Sequence, residues 1–170
     1  MLITLRELEL HRISVSKTYP PEALDYHEAG FRQLGPLKVD AVAELLEKEI
    51  RVCGHLSARF EASCDRCLVR VELPVESDFD LFYRPIAEIA GEEEVEIPGD
   101  ELKVGFYSGE GIALGDVVTE QVILSVPMKV VCQPDCLGLC PACGANRNIE
   151  HCDCSSEHED SPFIFLKKIE

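Results

Sequence analysis

From Leu37 onward apolar residues recur at every second position, first at Leu37, Val39, Ala41, Ala43 and Leu45, then at Val52, Gly54, Leu56, Ala58, Phe60 and Ala62. A period of two is that of a strand with one buried face, and Arg51, His55, Ser57, Arg59 and Glu61 take the other face of the second run. Residues 41–49 are also rich in helix formers, so propensity and pattern compete there. The alternation resumes at once, which decides for strand. The second run leads into Cys64-Asp65-Arg66-Cys67 and out through Val69, Val71 and Leu73, a hairpin with two cysteines at its turn. Residues 79–83 are expected to form a further strand, ending at Pro85.

Upstream, Leu8, Leu10, Ile13 and Val15 read as a bulged strand stopped by Pro20-Pro21, and residues 30–36 read as a loop. Downstream, residues 88–101 carry seven acidic residues and no basic one, the pattern of a solvated loop or of bait for a basic partner. A short strand over 102–107 and a glycine turn follow. Residues 114–125 read as an amphipathic helix with Leu114, Val117, Val118, Val122 and Leu124 on one side, Asp116 in its first turn and Pro127 beyond its end. Ser161-Pro162 is an N-cap and N1 pair opening a short helix through Ile169. The elements predict an α+β protein, with a mainly antiparallel β-sheet or partly open barrel, one central helix and a cysteine-rich C-terminal appendage. The expected division is 1–130, a β-rich core domain that includes the Cys64/Cys67 knuckle, and 131–170, the cysteine-rich segment with its short helix.

A chain of 170 residues, 46 % hydrophobic and 28 % charged, supports one ordinary core, although the absence of tryptophan leaves its filling to aliphatic side chains. The first residues show no basic stretch followed by an apolar run, so no signal peptide is indicated, and no apolar run approaches the roughly 20 residues of a membrane span. A cytoplasmic location is expected. In that reducing compartment nine cysteines point to metal ligands ahead of disulfides. The formal charge is −16 and uneven: residues 1–60 hold 8 Lys/Arg against 9 Asp/Glu, residues 61–170 hold 8 against 23. Such a surface repels phosphate at long range and attracts basic proteins.

The cysteines fall as Cys64-x2-Cys67, Cys132-x3-Cys136, Cys140-x2-Cys143 and Cys152-x-Cys154, with Cys53 apart on its strand as a structural thiol. Four pairs supply eight thiolates, enough for two tetrahedral zinc sites, and glycine after a knuckle lets backbone amides approach the sulfurs. Two partitions are open. The preferred one groups Cys64, Cys67, Cys132 and Cys136 in one site and Cys140, Cys143, Cys152 and Cys154 in the other. Its rival joins Cys132/Cys136 to Cys140/Cys143 and leaves Cys64/Cys67 to Cys152/Cys154, which demands four ligands within nine residues. Iron is the alternative ion, because the Cys-Pro-Ala-Cys-Gly knuckle has the form of a rubredoxin site, and His151 stands beside Cys152 as a substitute ligand.

Two filled tetrads leave no open coordination position, the main argument against an enzyme. Gly109-x-Gly111 lacks the lysine of a phosphate loop, and no nucleophile elbow or zinc-protease motif occurs; Asp116 and Glu120 are the nearest candidates for an RNA-processing carboxylate pair. Arg51, Arg59, Arg66 and Arg70 form a candidate basic strip for RNA phosphates, set against pairing with neighbouring carboxylates.

These residues carry a family resemblance. Gly54-His55-Leu56-Ser57-Ala58 leading into Cys64-Asp65-Arg66-Cys67-Leu68, Leu114-Gly115-Asp116 with Val126-Pro127, Cys132-x3-Cys136-x-Gly138-Leu139-Cys140-Pro141-x-Cys143-Gly144-x-Asn146, Cys152-Asp153-Cys154 and Ser161-Pro162-Phe163 resemble the YceD family of bacteria and plastids, from about residue 37 onward. The resemblance implies a non-catalytic factor in accumulation of large-subunit ribosomal RNA, with a basic large-subunit ribosomal protein or precursor RNA as partner and no membrane or small-molecule substrate. The family's second asparagine after a leucine is replaced by the run Asn146-Arg147-Asn148, a departure expected to touch packing around the second site. The competing reading is an iron- or thiol-based redox protein.

Overall fold

The computed structural model describes residues 1–27, 29–47, 49–86 and 104–154. The expected acidic loop over 88–101 and the closing helix over 161–169 lie outside them. The strands are β1 (Leu2–Thr4), β2 (Ile13–Tyr19), β3 (Phe31–Gln33), β4 (Leu37–Leu46), β5 (Glu49–Ser63), β6 (Arg70–Pro85), β7 (Val104–Tyr107) and β8 (Gly111–Ala113); the helices are α1 (Leu5–Leu10) and α2 (Leu114–Ser125). Contacts divide the chain into two units, Met1–Ala62 with Glu72–Met128, and Ser63–Val71 with the chain from Lys129 onward.

In the first unit the sheet runs β2-β4-β5-β6-β7, open and not closed into a barrel, with β3 also paired to β5. The alternation read from sequence is realised in β4 and β5: Leu37, Val39, Ala41 and Ala43, then Val52, Leu56, Phe60 and Ala62, are buried. Antiparallel register sets Ala41 against Gly54 and Ala43 against Val52. Gly54 is required there, because a Cβ would stand 2.4 Å from the Asp40 carbonyl oxygen and 2.9 Å from the Ala41 Cα. The outer face of α2 exposes Asp116, Glu120 and Leu124, and its inner face adds Leu114, Val117, Val118 and Val122 to the same core. Leu124, expected with them, is exposed, because it follows Val122 by half a turn and falls on the outer side.

Several local expectations change. Residues 5–10 are helical where a bulged strand was expected. Thr4 caps them: its hydroxyl oxygen accepts from the Glu7 amide while the Glu7 carboxylate accepts from the Thr4 amide, a reciprocal capping box. The described residues therefore hold two helices in place of one. The expected loop over 30–36 contains β3, which pairs with β5 at Phe31↔Ala62 and Gln33↔Phe60. It runs beside the same edge of β5 as β4, the two interrupted at Gly35-Pro36, where proline has no amide to donate. Buried Gln33 secures this break, donating to the Tyr19 and Gly35 carbonyls and accepting from the Tyr26 hydroxyl. The two expected strands either side of Pro74 are one strand, β6, in which Pro74 is exposed and Phe82 pairs in parallel with Val104 of β7. Finally, β1 pairs with β8 and brings the first residues to the start of α2, where the Leu114 amide donates to the Met1 carbonyl. No described helix is long and apolar enough to cross a membrane.

Candidate metal centre

Both cysteine clusters lie in the second unit. The link between β5 and β6 is a tight turn: the Cys64 amide donates to the Val69 carbonyl at 2.8 Å and the Leu68 amide to the Cys64 carbonyl at 2.9 Å. Leu68 adopts φ +62°, a left-handed conformation that costs a non-glycine residue about 1 kcal/mol. The turn directs both sulfurs to one side, where Cys132 and Cys136 meet them. Cys64 and Cys136 sulfurs are 3.9 Å apart and those of Cys67 and Cys132 3.6 Å. Four sulfurs each about 2.3 Å from a tetrahedral ion stand about 3.8 Å apart, whereas a disulfide needs about 2.05 Å. The spacing fits a metal tetrad. Cys64, Cys67 and Cys136 are buried and Cys132 is exposed.

The two residues inside the knuckle fasten its arms together. Asp65 exchanges bonds with Val130, its amide donating to the Val130 carbonyl at 2.8 Å and its carboxylate accepting from the Val130 amide at 2.6 Å. Arg66 donates to the Cys136 carbonyl at 2.9 Å and to that of Pro134 at 3.4 Å, and its own carbonyl accepts from Leu139 at 3.0 Å. Gly138, at φ +74°, lets this approach happen, since a Cβ would sit 3.0 Å from the Arg66 oxygen. Backbone amides also converge on sulfur. Burial pushes the Cys64 thiol up, but amides of Arg66, Cys67 and Cys132 outweigh it and bring it down to about 6; burial, followed by the neighbouring sulfurs, pushes Cys132 up to about 12. Burial also pushes the Cys136 thiol up, but the Gly138 amide and the Asn148 side chain outweigh it and bring it down. Cys64 and Cys136 therefore ionise more readily than a free thiol while Cys132 resists, and a cation at the centre would favour the thiolate form of all four.

The second cluster repeats the turn. Gly144, at φ +76°, donates its amide to the Cys140 carbonyl at 2.9 Å, as Leu68 does to Cys64. Cys140, Cys143, Cys152 and Cys154 sulfurs all lie within 4.8 Å of one another, as do those of the first cluster. Amides of Cys143 and Ala142 and the Cys152 thiol bring Cys140 down to about 6, while the Cys143 sulfur pushes Cys154 up to about 12. Cys140 is buried, Cys152 intermediate, and Cys143 and Cys154 exposed, so this site is the more open one. Each cluster can hold a metal ion, and the grouping is the preferred partition of the pairs. His151 is outside the clusters, 92 % exposed and paired with Asp153 at 3.6 Å. Cys53 lies on β5 opposite Val42, also outside them.

Asn148 was not expected at the first site. Its side-chain amide donates to the Cys136 sulfur at 3.3 Å and to Asn146 Oδ1 at 2.8 Å, and its Oδ1 accepts from the Leu137 amide at 2.8 Å. The Asn146-Arg147-Asn148 run, expected to concern the second site, thus reaches a sulfur of the first. The available signal was the two-residue spacing of asparagines in a loop, the pattern of a side chain bonding to nearby backbone.

The four arginines are divided between the units, Arg51 and Arg59 in the first, Arg66 and Arg70 in the second. Arg51 is engaged by both Asp80 carboxylate oxygens at 2.8 Å and by Glu44 at 3.2 Å, and Arg66 by the carbonyls described above. Arg59 and Arg70 are exposed.

A strand-rich unit joined to a module with two all-cysteine tetrads defines a metal-capable α+β protein. A family model described as large ribosomal RNA subunit accumulation protein YceD matches residues 52–170, and the chain belongs to that family. It is 35 % identical over 109 residues to an uncharacterized protein of Mycobacterium tuberculosis, covering 64 % of this chain and 50 % of the relative. It is 25 % identical over 157 residues to an Arabidopsis thaliana protein named large ribosomal RNA subunit accumulation protein YCED homolog 1, chloroplastic, covering 75 % and 46 %. With the Bacillus subtilis protein YlbN it shares 23 % identity over 133 residues, covering 75 % and 72 %. The chain thus spans about half the length of the first curated relatives it matches. No solved structure matches it.

Proposed function

We propose that this protein is a non-catalytic zinc-binding factor in large ribosomal subunit biogenesis, which supports accumulation of large-subunit ribosomal RNA by binding a basic ribosomal protein or precursor RNA. The observation that carries the reading is the family match over residues 52–170, a span that takes in all eight clustered cysteines. Zinc is the ion proposed, since a sulfur tetrad with four protein ligands is a closed structural site and positional work needs no redox couple. The ligands are Cys64, Cys67, Cys132 and Cys136 in one site and Cys140, Cys143, Cys152 and Cys154 in the other. A metal in each would supply the fold of a module with few buried aliphatic side chains, Val69, Val71, Val131 and Leu139 being only partly buried around the first cluster. Of the two partner classes, a basic protein is favoured: the formal charge is −16, and Arg51 is already neutralised by Asp80 and Glu44.

The test is depletion of the protein from growing cells followed by sedimentation of ribosomal subunits, together with affinity capture of its complexes. Loss of large subunits relative to small ones, and capture of a basic large-subunit protein, are expected. Unchanged subunit ratios with no ribosomal component captured would refute the reading.

A further inference from the structure

The outer face of α2 borders a hollow of about 530 Å³ in the first unit, opposite the segment around Leu24. Its floor is apolar. Leu24 and Ile123 are half-buried, Leu124 is 70 % exposed, and Gly115 keeps the helix surface low enough for Leu24 to lie within van der Waals range of a Cβ built there. Its rim is acidic, formed by Asp25 from the loop and by Asp116 and Glu120, one turn apart on α2. His27, its remaining titratable lining residue, stands 3.5 Å from Asp25, and among the described residues no lysine or arginine lines it. An amphipathic helix would ordinarily show water a polar outer face; here that face carries a leucine flanked by carboxylates.

We propose that this groove seats the apolar stripe of a basic amphipathic helix from a partner protein, with lysines or arginines on the helix flanks meeting Asp25, Asp116 and Glu120. The proposal deepens the reading of a basic protein partner and rests on it. An apolar floor takes the i, i+3, i+4 side chains of such a helix, and an acidic rim selects the charge on its flanks. A second copy of this chain would bring the same carboxylates face to face across a two-fold axis, and an anionic membrane or RNA would meet the same repulsion.

The test uses the full metal-loaded chain and a synthetic 18-residue peptide of leucine and lysine spaced to form an amphipathic helix. Its controls are the same composition scrambled to destroy the stripe, the glutamate-for-lysine version, and a single-stranded RNA of similar length. Binding is followed by fluorescence anisotropy and by backbone amide shifts. Saturable binding of the amphipathic peptide is expected, with shifts at Gly115, Thr119 and Ile123. Leu124→Asn, at an exposed site that the fold does not use, should weaken it about tenfold, as should Asp116→Asn with Glu120→Gln. Equal binding by the scrambled peptide, equal binding by the variants, displacement by the RNA, or a dimer abolished by Leu124→Asn would each overturn the proposal. Its failure is separable from that of the ribosomal reading, which is scored by subunit ratios in depleted cells: a normal dependence on the protein with no peptide bound to the groove sinks the groove alone.

Discussion

Replacing Asn148 with alanine tests how the first cluster is held. Asn148 contributes two donors and two accepted bonds: it donates to the Cys136 sulfur and to Asn146, and accepts from Leu137 and from Gln133 at 3.3 Å. The bond to Cys136 matters most once a metal has made that sulfur a thiolate, because a hydrogen bond to a charged group is worth about 1.5–3 kcal/mol. That range corresponds to roughly 10–100-fold in affinity, the loss usually seen when a metal ligand's supporting partner is removed. Asn148→Ala should therefore weaken the first site by that factor and the Cys140 site by less, with the count of bound ions unchanged at saturation. Competition against a zinc chelator reads both affinities. Asn148→Asp keeps the accepted bonds but sets a carboxylate beside the sulfur, so it should weaken the first site at least as much. Equal affinities in Asn148→Ala and the parent chain would show that Asn148 does not support Cys136, and the reasoning would fail.

Gly54→Val should abolish or severely destabilise the fold, since the added Cβ meets backbone atoms of Asp40 and Ala41 that cannot swing aside; thermal unfolding checks this, and an unchanged midpoint would contradict the packing. Cys53→Ser should leave the metal count untouched and change stability by less than about 1.5 kcal/mol, as seen by elemental analysis and denaturant titration. Asp80 is held below the ordinary carboxylate range by the Arg51 guanidinium, so its pairing contributes stability above about pH 4 that is lost as acid protonates it. Asp80→Asn should accordingly lower stability slightly at pH 7 and flatten its decline as the pH falls below about 4.

Much of the sheet was legible because burial on one face writes itself as alternation. Leu37–Leu46 and Glu49–Ser63 obey it despite the helix formers in the first, and α2 begins and ends where its pattern and Pro127 place it. What escaped is short and depends on partners remote in sequence. β1 and β8 hold three residues each and exist by pairing with one another across more than a hundred positions. α1 did carry a local signal, Thr4 three residues before Glu7, which the apolar spacing of Leu8, Leu10 and Ile13 masked. Chelate geometry left two groupings of the cysteine pairs open and favoured the one in which the sulfurs now stand together, whereas the roles of Asp65, Arg66 and Asn148 required knowing which carbonyls and sulfurs the fold brings to them. Arg66 shows the difference: its charge marked it as a candidate for phosphate, and its guanidinium is used on the Cys136 and Pro134 carbonyls.

Metal content of the purified chain bears most directly on the whole account. Elemental analysis combined with native mass spectrometry is predicted to give two zinc ions per colourless chain, with eight thiols released to a thiol reagent only after chelation. A coloured iron protein, fewer than two ions, or cysteines joined as disulfides would contradict it.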